Sequence, residues 1–305
     1  MGGLLVLGWH NITATPSFPQ EPGAGPRGFE RQVRALARYA RPVPLYPALR
    51  ALAAGRRLPA RAVALTFDDG YRDNAEVAVP ILRAHRVPGT FFLVPGFLDR
   101  RVSPWWEDLA RAWASVPEGG GTLAGWHVPP DGRARRQALA AAQQELKAIP
   151  GNARLRRVAQ AFRDAGTGRT AVDLMMDWDE ARGLVAAGMD VGSHTDSHPI
   201  LAREDAMAQR AELVDAARAL REGLGHPVPL VAYPNGTAAD IDGRSIAAAR
   251  GAGHSFGITT VWGPNRRDVH PFLIRRALVQ PTRTLRTLRW DLTARPWTAP
   301  EASRA

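Results

Sequence analysis

Short apolar runs of strand length recur along this chain, separated by segments whose apolar residues return every three to four positions. The runs cover 4–9, 62–67, 90–94, 189–192, 230–233, 255–260 and 272–279, and the helical patterns cover 29–39, 46–54, 74–85, 178–187, 205–224 and 245–252. Such alternation predicts βαβ units around a parallel sheet or barrel of about seven strands, the α/β class.

The rhythm breaks between about 101 and 173, where Gly119-Gly120-Gly121, Pro129-Pro130 and two basic helical stretches intervene. This segment reads as a helical insertion between the third and fourth strands. Its Trp105, Trp106 and Trp113 stand at helical spacing, which more often marks core, although an insertion at the catalytic end of a barrel can serve as a lid. No internal repeat is visible. One barrel is expected over 1–293, with a Pro- and Ala-rich flexible tail at 294–305.

The chain has no Cys, which leaves His, Asp and Glu as the strong metal ligands and removes thiolate chemistry and disulfides. A net charge of +11 and a pI of about 11.2 invite a phosphate-binding reading. The distribution opposes it: Lys147 is the only Lys among 40 basic residues, and the arginines are scattered among Ala, Gly and Pro. The densest group, Arg133, Arg135 and Arg136, opens a helix with a solvated face, so no nucleic-acid partner is expected. The first ten residues carry an apolar run of about six without a basic n-region or a small-residue cleavage site, and so read as a first strand rather than a signal peptide. No stretch approaches the roughly 18 apolar residues of a membrane span. A cytoplasmic protein with no membrane span is expected.

Two polar clusters follow strand-like runs. Thr66-Phe67-Asp68-Asp69-Gly70 ends the second run, where Gly70 can supply an unusual turn. In α/β barrels the carboxyl ends of strands hold the active site. Successive side chains of an extended chain diverge, so Asp68 and Asp69 need not share one task. The ordinary alternative for such a doublet is an Asx turn or a cap. Asp73 and Asn74, just downstream, read as helix N-caps. The second cluster is Ser193-His194-Thr195-Asp196-Ser197-His198-Pro199, in a chain with only eight His. Pro199 disfavours helix at His198, which puts both imidazoles on a turn. With a carboxylate they supply the two nitrogens and one oxygen of an open catalytic zinc site.

Thr-Phe-Asp-Asp-Gly at 66–70 and His-Thr-Asp-Ser-His at 194–198 together resemble the first two motifs of the polysaccharide deacetylase family, the NodB-homology carbohydrate esterases. The likeness runs from Leu4 to Val279 outside the insertion, and Gly8-Trp9-His10-Asn11 resembles the first-strand segment of some members. The resemblance implies a distorted (β/α) barrel of about seven parallel strands. It implies Asp68 as general base toward the attacking water, and Asp69, His194 and His198 as ligands of a divalent metal, usually Zn2+. The third motif, normally Arg-x-Pro-Tyr/Phe-Gly, is altered to Ala232-Tyr233-Pro234-Asn235-Gly236. Tyr233 and Asn235 are then expected at the substrate and oxyanion. The base-orienting arginine missing at Ala232 is sought in Arg275 or Arg276, with Arg276 favoured by its spacing to Val279. The motif carrying the acid histidine has no clean counterpart. His254 and His270 precede their strands, so His10, at the end of the first strand, is the candidate acid.

The leading expectation is a metal-dependent deacetylase removing N-acetyl groups from the amino sugars of a polysaccharide or glycoconjugate. Two others stand beside it: hydrolysis of another linear or cyclic amide on the same metal site, since fold and ligands do not fix the acyl group, and a catalytically weak carbohydrate-binding module.

Overall fold

A computed structural model describes residues 3–18, 25–166 and 170–279, so the tail expected at 294–305 lies outside the described residues. Strand β1 (Leu4–Trp9) is followed by α1 (Gly25–Tyr39), the two-residue β2 (Arg41–Pro42), α2 (Leu45–Ala53) and β3 (Ala62–Phe67). A wide turn at Asn74–Ala78 opens α3 (Val79–Ala84), and β4 (Gly89–Leu93) leads into the short α4 (Pro95–Leu98). The insertion supplies α5 (Trp105–Ala114), an antiparallel hairpin of β5 (Gly121–Leu123) and β6 (Trp126–Val128), α6 (Gly132–Lys147) and α7 (Gly151–Ala165). Helix α8 (Trp178–Ala186), β7 (Asp190–Ser193), α9 (Ala206–Leu224), β8 (Leu230–Ala232), α10 (Gly243–Gly251), β9 (Phe256–Ile258) and β10 (Ala277–Leu278) complete the order.

The main sheet is parallel, in the order β10-β1-β3-β4-β7-β8-β9, with β2 beside the start of β3. Seven strands thus form a curled half-barrel. The last run, expected as one strand over 272–279, is divided between two neighbours: Ile274 bridges to Ile258 of β9, while Ala277 and Leu278 pair with Leu7 and Gly8 of β1. That division leaves it only two residues of regular strand.

Alternation along β3 explains how its end becomes chemical. Val63, Leu65 and Phe67 face a core cluster with Leu36 of α1, Leu82 of α3 and Leu184 of α8. Ala62 and Ala64 face a second cluster with Leu4, Val6, Leu230 and Ile258 from the other strands. Asp68 follows Ala64 and Thr66 onto this inner side. The insertion has its own core, in which Trp106, Trp113, Leu146 and Val158 pack with Tyr71, just after β3, and with Phe97 of α4. It therefore sits over the carboxyl ends of β3 and β4. No helix among the described residues is long and apolar enough to cross a membrane.

Asp73 and Asn74 depart from their expected capping role. Asp73 Oδ2 accepts from the Ile12 and Thr13 amides at 2.7 and 2.6 Å and from the Thr13 hydroxyl at 2.8 Å, while Asn74 Nδ2 donates to the His10 carbonyl at 2.9 Å. A long-range tie to the segment after β1 has replaced a local cap. Burial pushes the Asp73 carboxyl above its usual range. Replacing Asp73 with Ala leaves these donors without their acceptor and is expected to cost about 1–3 kcal/mol, measurable as a lowered urea midpoint.

Candidate active site

Asp68 receives a two-pronged hydrogen bond from Arg276, with Nη1 2.6 Å from Oδ1 and Nη2 2.7 Å from Oδ2. Both residues are almost fully buried. Arg276 stands just before β10, and the pairing of β10 with β1 carries it to the inner face of the sheet. Its fork is held further by the Thr66 hydroxyl and the Thr259 carbonyl, each at 3.2 Å. Arg275 takes a different course, its backbone bonding Asn265. Burial acts to raise the Asp68 carboxyl, but the Arg276 charge, followed by that of His194, holds it below its ordinary value. The group is therefore an ionised, oriented carboxylate at neutral pH.

Asp69 leaves the strand in a left-handed conformation, φ 70°, followed by Gly70 at φ 77°. Such backbone costs roughly 1–2 kcal/mol at a non-glycine residue, and here it turns the Asp69 carboxylate toward the second motif. His194 Nε2 and His198 Nε2 lie 3.3 and 3.2 Å from Asp69 Oδ1, yet neither contact is directed as a hydrogen bond. His194 follows β7, and its Nδ1–H donates to the Ala232 carbonyl at 2.7 Å, which leaves the Nε2 lone pair facing Asp69. The turn between the histidines is left-handed at Thr195, φ 66°, and His198, φ 62°. Glu212 of α9 pins it, accepting from the Asp196 and Ser197 amides and the Ser197 hydroxyl. The His198 ring rests against Trp106 at 4.7 Å and Phe97 at 6.3 Å.

This donor set fits a divalent cation. Three ligand atoms, all lone-pair bearers, come within 4.8 Å of one another in a largely buried cluster, and Asp69 Oδ1 has no hydrogen-bond partner. Burial would raise Asp69, but His194 and His198 hold it well below the usual carboxylate range. Burial also keeps His198 below its ordinary value and so neutral. At His194 burial is outweighed by the Asp68 and Asp69 charges, which pull that imidazole up. Imidazole and carboxylate ligands hold a cation in their deprotonated forms, so metal affinity would weaken as pH falls.

Among the remaining expected residues, Asn235 sits beside this cluster with φ 60°, its carbonyl accepting from the Thr260 hydroxyl at 2.8 Å. Among the described residues nothing takes its N–H. Tyr233 also borders the cavity. Its ring packs behind the sheet with Leu213, Ala249 and Phe272, where a Cβ on Gly257 would come within 2.3 Å of the hydroxyl. The alternation of β8 places the Tyr233 ring in the same cluster as Val231. His10 lies on the cavity wall, half-buried, with its ring 6.4 Å from Phe18. His254 is at the opposite end of the sheet, bonded to the Val228 carbonyl and pushed down to about 4 by burial, and His270 is exposed.

Residues 55–261 match the sequence model for polysaccharide deacetylases. The chain belongs to the polysaccharide deacetylase family. Among curated proteins none matches the sequence. Among solved structures, the Streptococcus pyogenes deacetylase PplD in complex with acetate is 17% identical, with a TM-score of 0.63, covering 94% of this chain and 96% of its own. IcaB from Ammonifex degensii is 21% identical, with a TM-score of 0.61 and coverages of 96% and 98%. The de-N-acetylase from Aggregatibacter actinomycetemcomitans is 16% identical, again at 0.61, with coverages of 94% and 98%. At these identities the likeness is one of fold.

In this deacetylase-family chain the cavity over the cluster measures about 330 Å³ and is closed on one side by the insertion, through Trp105, Trp106, Gln143, Lys147 and Arg154. The tryptophans are thus both core and cavity wall. Trp106 Nε1 donates to the Tyr71 hydroxyl at 2.8 Å, and that hydroxyl donates to Glu107, tying the roof to the residue after Gly70. The sequence offered one signal for this contribution: Lys147 is the sole lysine.

Proposed function

We propose that the protein is a metal-dependent hydrolase that removes N-acetyl groups from the amino sugars of a polysaccharide or glycoconjugate. The observation that carries this reading is the buried Asp68–Arg276 pair beside the Asp69, His194 and His198 cluster, all bordering one cavity. Two of the similar structures lend support by their descriptions, one a de-N-acetylase and one a deacetylase holding acetate, the acid such a reaction releases.

In this reading Asp69, His194 and His198 hold the ion, with zinc the proposed identity because two imidazoles and a carboxylate leave a coordination position open. A divalent cation there supplies Lewis-acid chemistry, lowering the pKa of water toward about 7 and polarising an amide carbonyl. Asp68 takes the proton of the attacking water, and Arg276 keeps its carboxylate ionised and aimed. The Asn235 N–H is the proposed donor to the developing oxyanion. As water oxygen bonds to the acyl carbon and the C–N bond breaks, the amine takes a proton, for which His10 is the proposed source.

Acetate release from N-acetylglucosamine oligomers with zinc or cobalt tests the reading, and its absence with both metals overturns it. Elemental analysis provides a second check. The purified protein is expected to bind about one ion, and the His194→Ala, His198→Ala double variant to lose it.

A further inference from the structure

We propose that Lys147 and Arg154, on successive helices of the insertion, form a cationic subsite in the roof of the cavity that receives an anionic group of the substrate, a carboxylate or a phosphate. The inference rests on the deacetylase reading and adds the class of glycan that this chain selects.

Both residues border the cavity that holds the metal-ligand cluster. Lys147 is the last residue of α6, and its Nζ donates to Asn235 Oδ1 at 3.1 Å, which fixes the ammonium next to the proposed oxyanion donor. Arg154 lies in the first turn of α7 and is only 2% exposed. Its guanidinium stands over the Trp105 ring at 5.1 Å, and its buried Nη1 has no hydrogen-bond partner.

Neither cation has a carboxylate at ion-pair distance among the described residues. The acids that act on them do so from farther away and are engaged elsewhere. Asp240 and Asp69 act on Lys147, and Glu204 acts on Arg154. Asp240 accepts from Asn235 and Thr237, Asp69 belongs to the ligand cluster, and Glu204 accepts from the Gly151 amide at 2.7 Å. Burial disfavours the charged form of both residues. Burying a cation without an anionic partner is unfavourable, and stacking on an indole offsets only part of that cost. Packing alone would be met by an uncharged side chain of similar length. The arrangement is complete when an anion enters: the Arg154 fork suits a planar carboxylate or a phosphate, and Lys147 adds a point charge.

The test compares kcat/KM for acetate release by the full-length, metal-loaded protein from three oligosaccharides of equal length: neutral N-acetylglucosamine, the same sugar alternating with a hexuronic acid, and a phosphate-bearing form. The native protein is expected to favour one anionic form by about tenfold or more, mainly through KM, with the preference shrinking as salt rises. In Lys147→Met and Arg154→Met that ratio falls toward one. Comparing ratios within each protein removes any general loss of activity, and the half-buried Lys147 gives a variant expected to fold even where Arg154→Met does not. A hexuronate or a phosphate preference each supports the subsite and identifies its ligand. Equal use of all three by the native protein, or a ratio unchanged in both variants, overturns it. If no oligosaccharide is hydrolysed, the deacetylase reading fails by itself, and calorimetric affinities of the same three ligands for the native protein still decide the subsite.

Discussion

Asp68→Asn is expected to lower kcat for acetate release by about 10²–10⁴-fold, the usual contribution of a positioned general base, while bound metal stays at the native level. Asn keeps the size of the side chain and one acceptor for Arg276, but it cannot take a proton. The three ligand atoms belong to other residues, so the ion remains. Retained metal with lost turnover separates the proton-transfer role from a structural one, since collapse of the site would remove both. Native rate should also be insensitive to Asp68 titration down to the ordinary carboxylate range, about pH 4, because Arg276 and His194 hold that carboxyl below its usual value. An acid limb closer to neutrality would report protonation of the imidazole ligands. Release from Asp68→Asn equal to that of the native protein would remove Asp68 from the mechanism.

Much of this site was legible because it is built from strand ends. The apolar run at 62–67 coincides with β3, and a period of two brings Asp68 to the inner face. Arg276 was favoured over Arg275 by its spacing to Val279, and in the structure the two face opposite ways, Arg276 toward Asp68. What the linear pattern could not carry was contact between distant segments. Asp73 looked like a cap because a cap is the local solution, and the structure spends its carboxylate on Ile12 and Thr13. Tyr233 was expected at the substrate from its place in a motif, but the motif did not say that its ring would pack with Leu213, Ala249 and Phe272 while the residue borders the cavity. Lys147 and Arg154 reach the cavity only because the insertion folds back over β3 and β4, and no spacing rule encodes that return.

Arg276→Met is expected to destabilise the protein by about 3–5 kcal/mol at neutral pH, the usual consequence of removing one member of a buried ion pair. Met fills part of the space, but the Asp68 carboxylate keeps its burial and loses both bonds of the fork, and Thr66 and Thr259 each lose a donor. The pH dependence gives this prediction its sign. In the native protein the folded-state pKa of Asp68 lies below its unfolded value, so its contribution to stability is complete above the ordinary carboxylate range and is lost as pH falls through the folded value. Without Arg276, burial is opposed chiefly by His194 and the folded pKa rises. The gap between native and variant is then widest at neutral pH and narrows on acidification, because the variant's Asp68, with its raised folded-state pKa, takes up a proton while the native carboxylate is still ionised. Urea midpoints of the two proteins, each treated with chelator and compared at pH 7 and pH 4, measure that gap. An equal gap at both values would mean that lost packing, not an unpaired buried charge at Asp68, accounts for the damage. A narrowing gap, with an acid limb of the rate profile moved upward in the variant, would tie the stability and the catalytic competence of Asp68 to the same guanidinium.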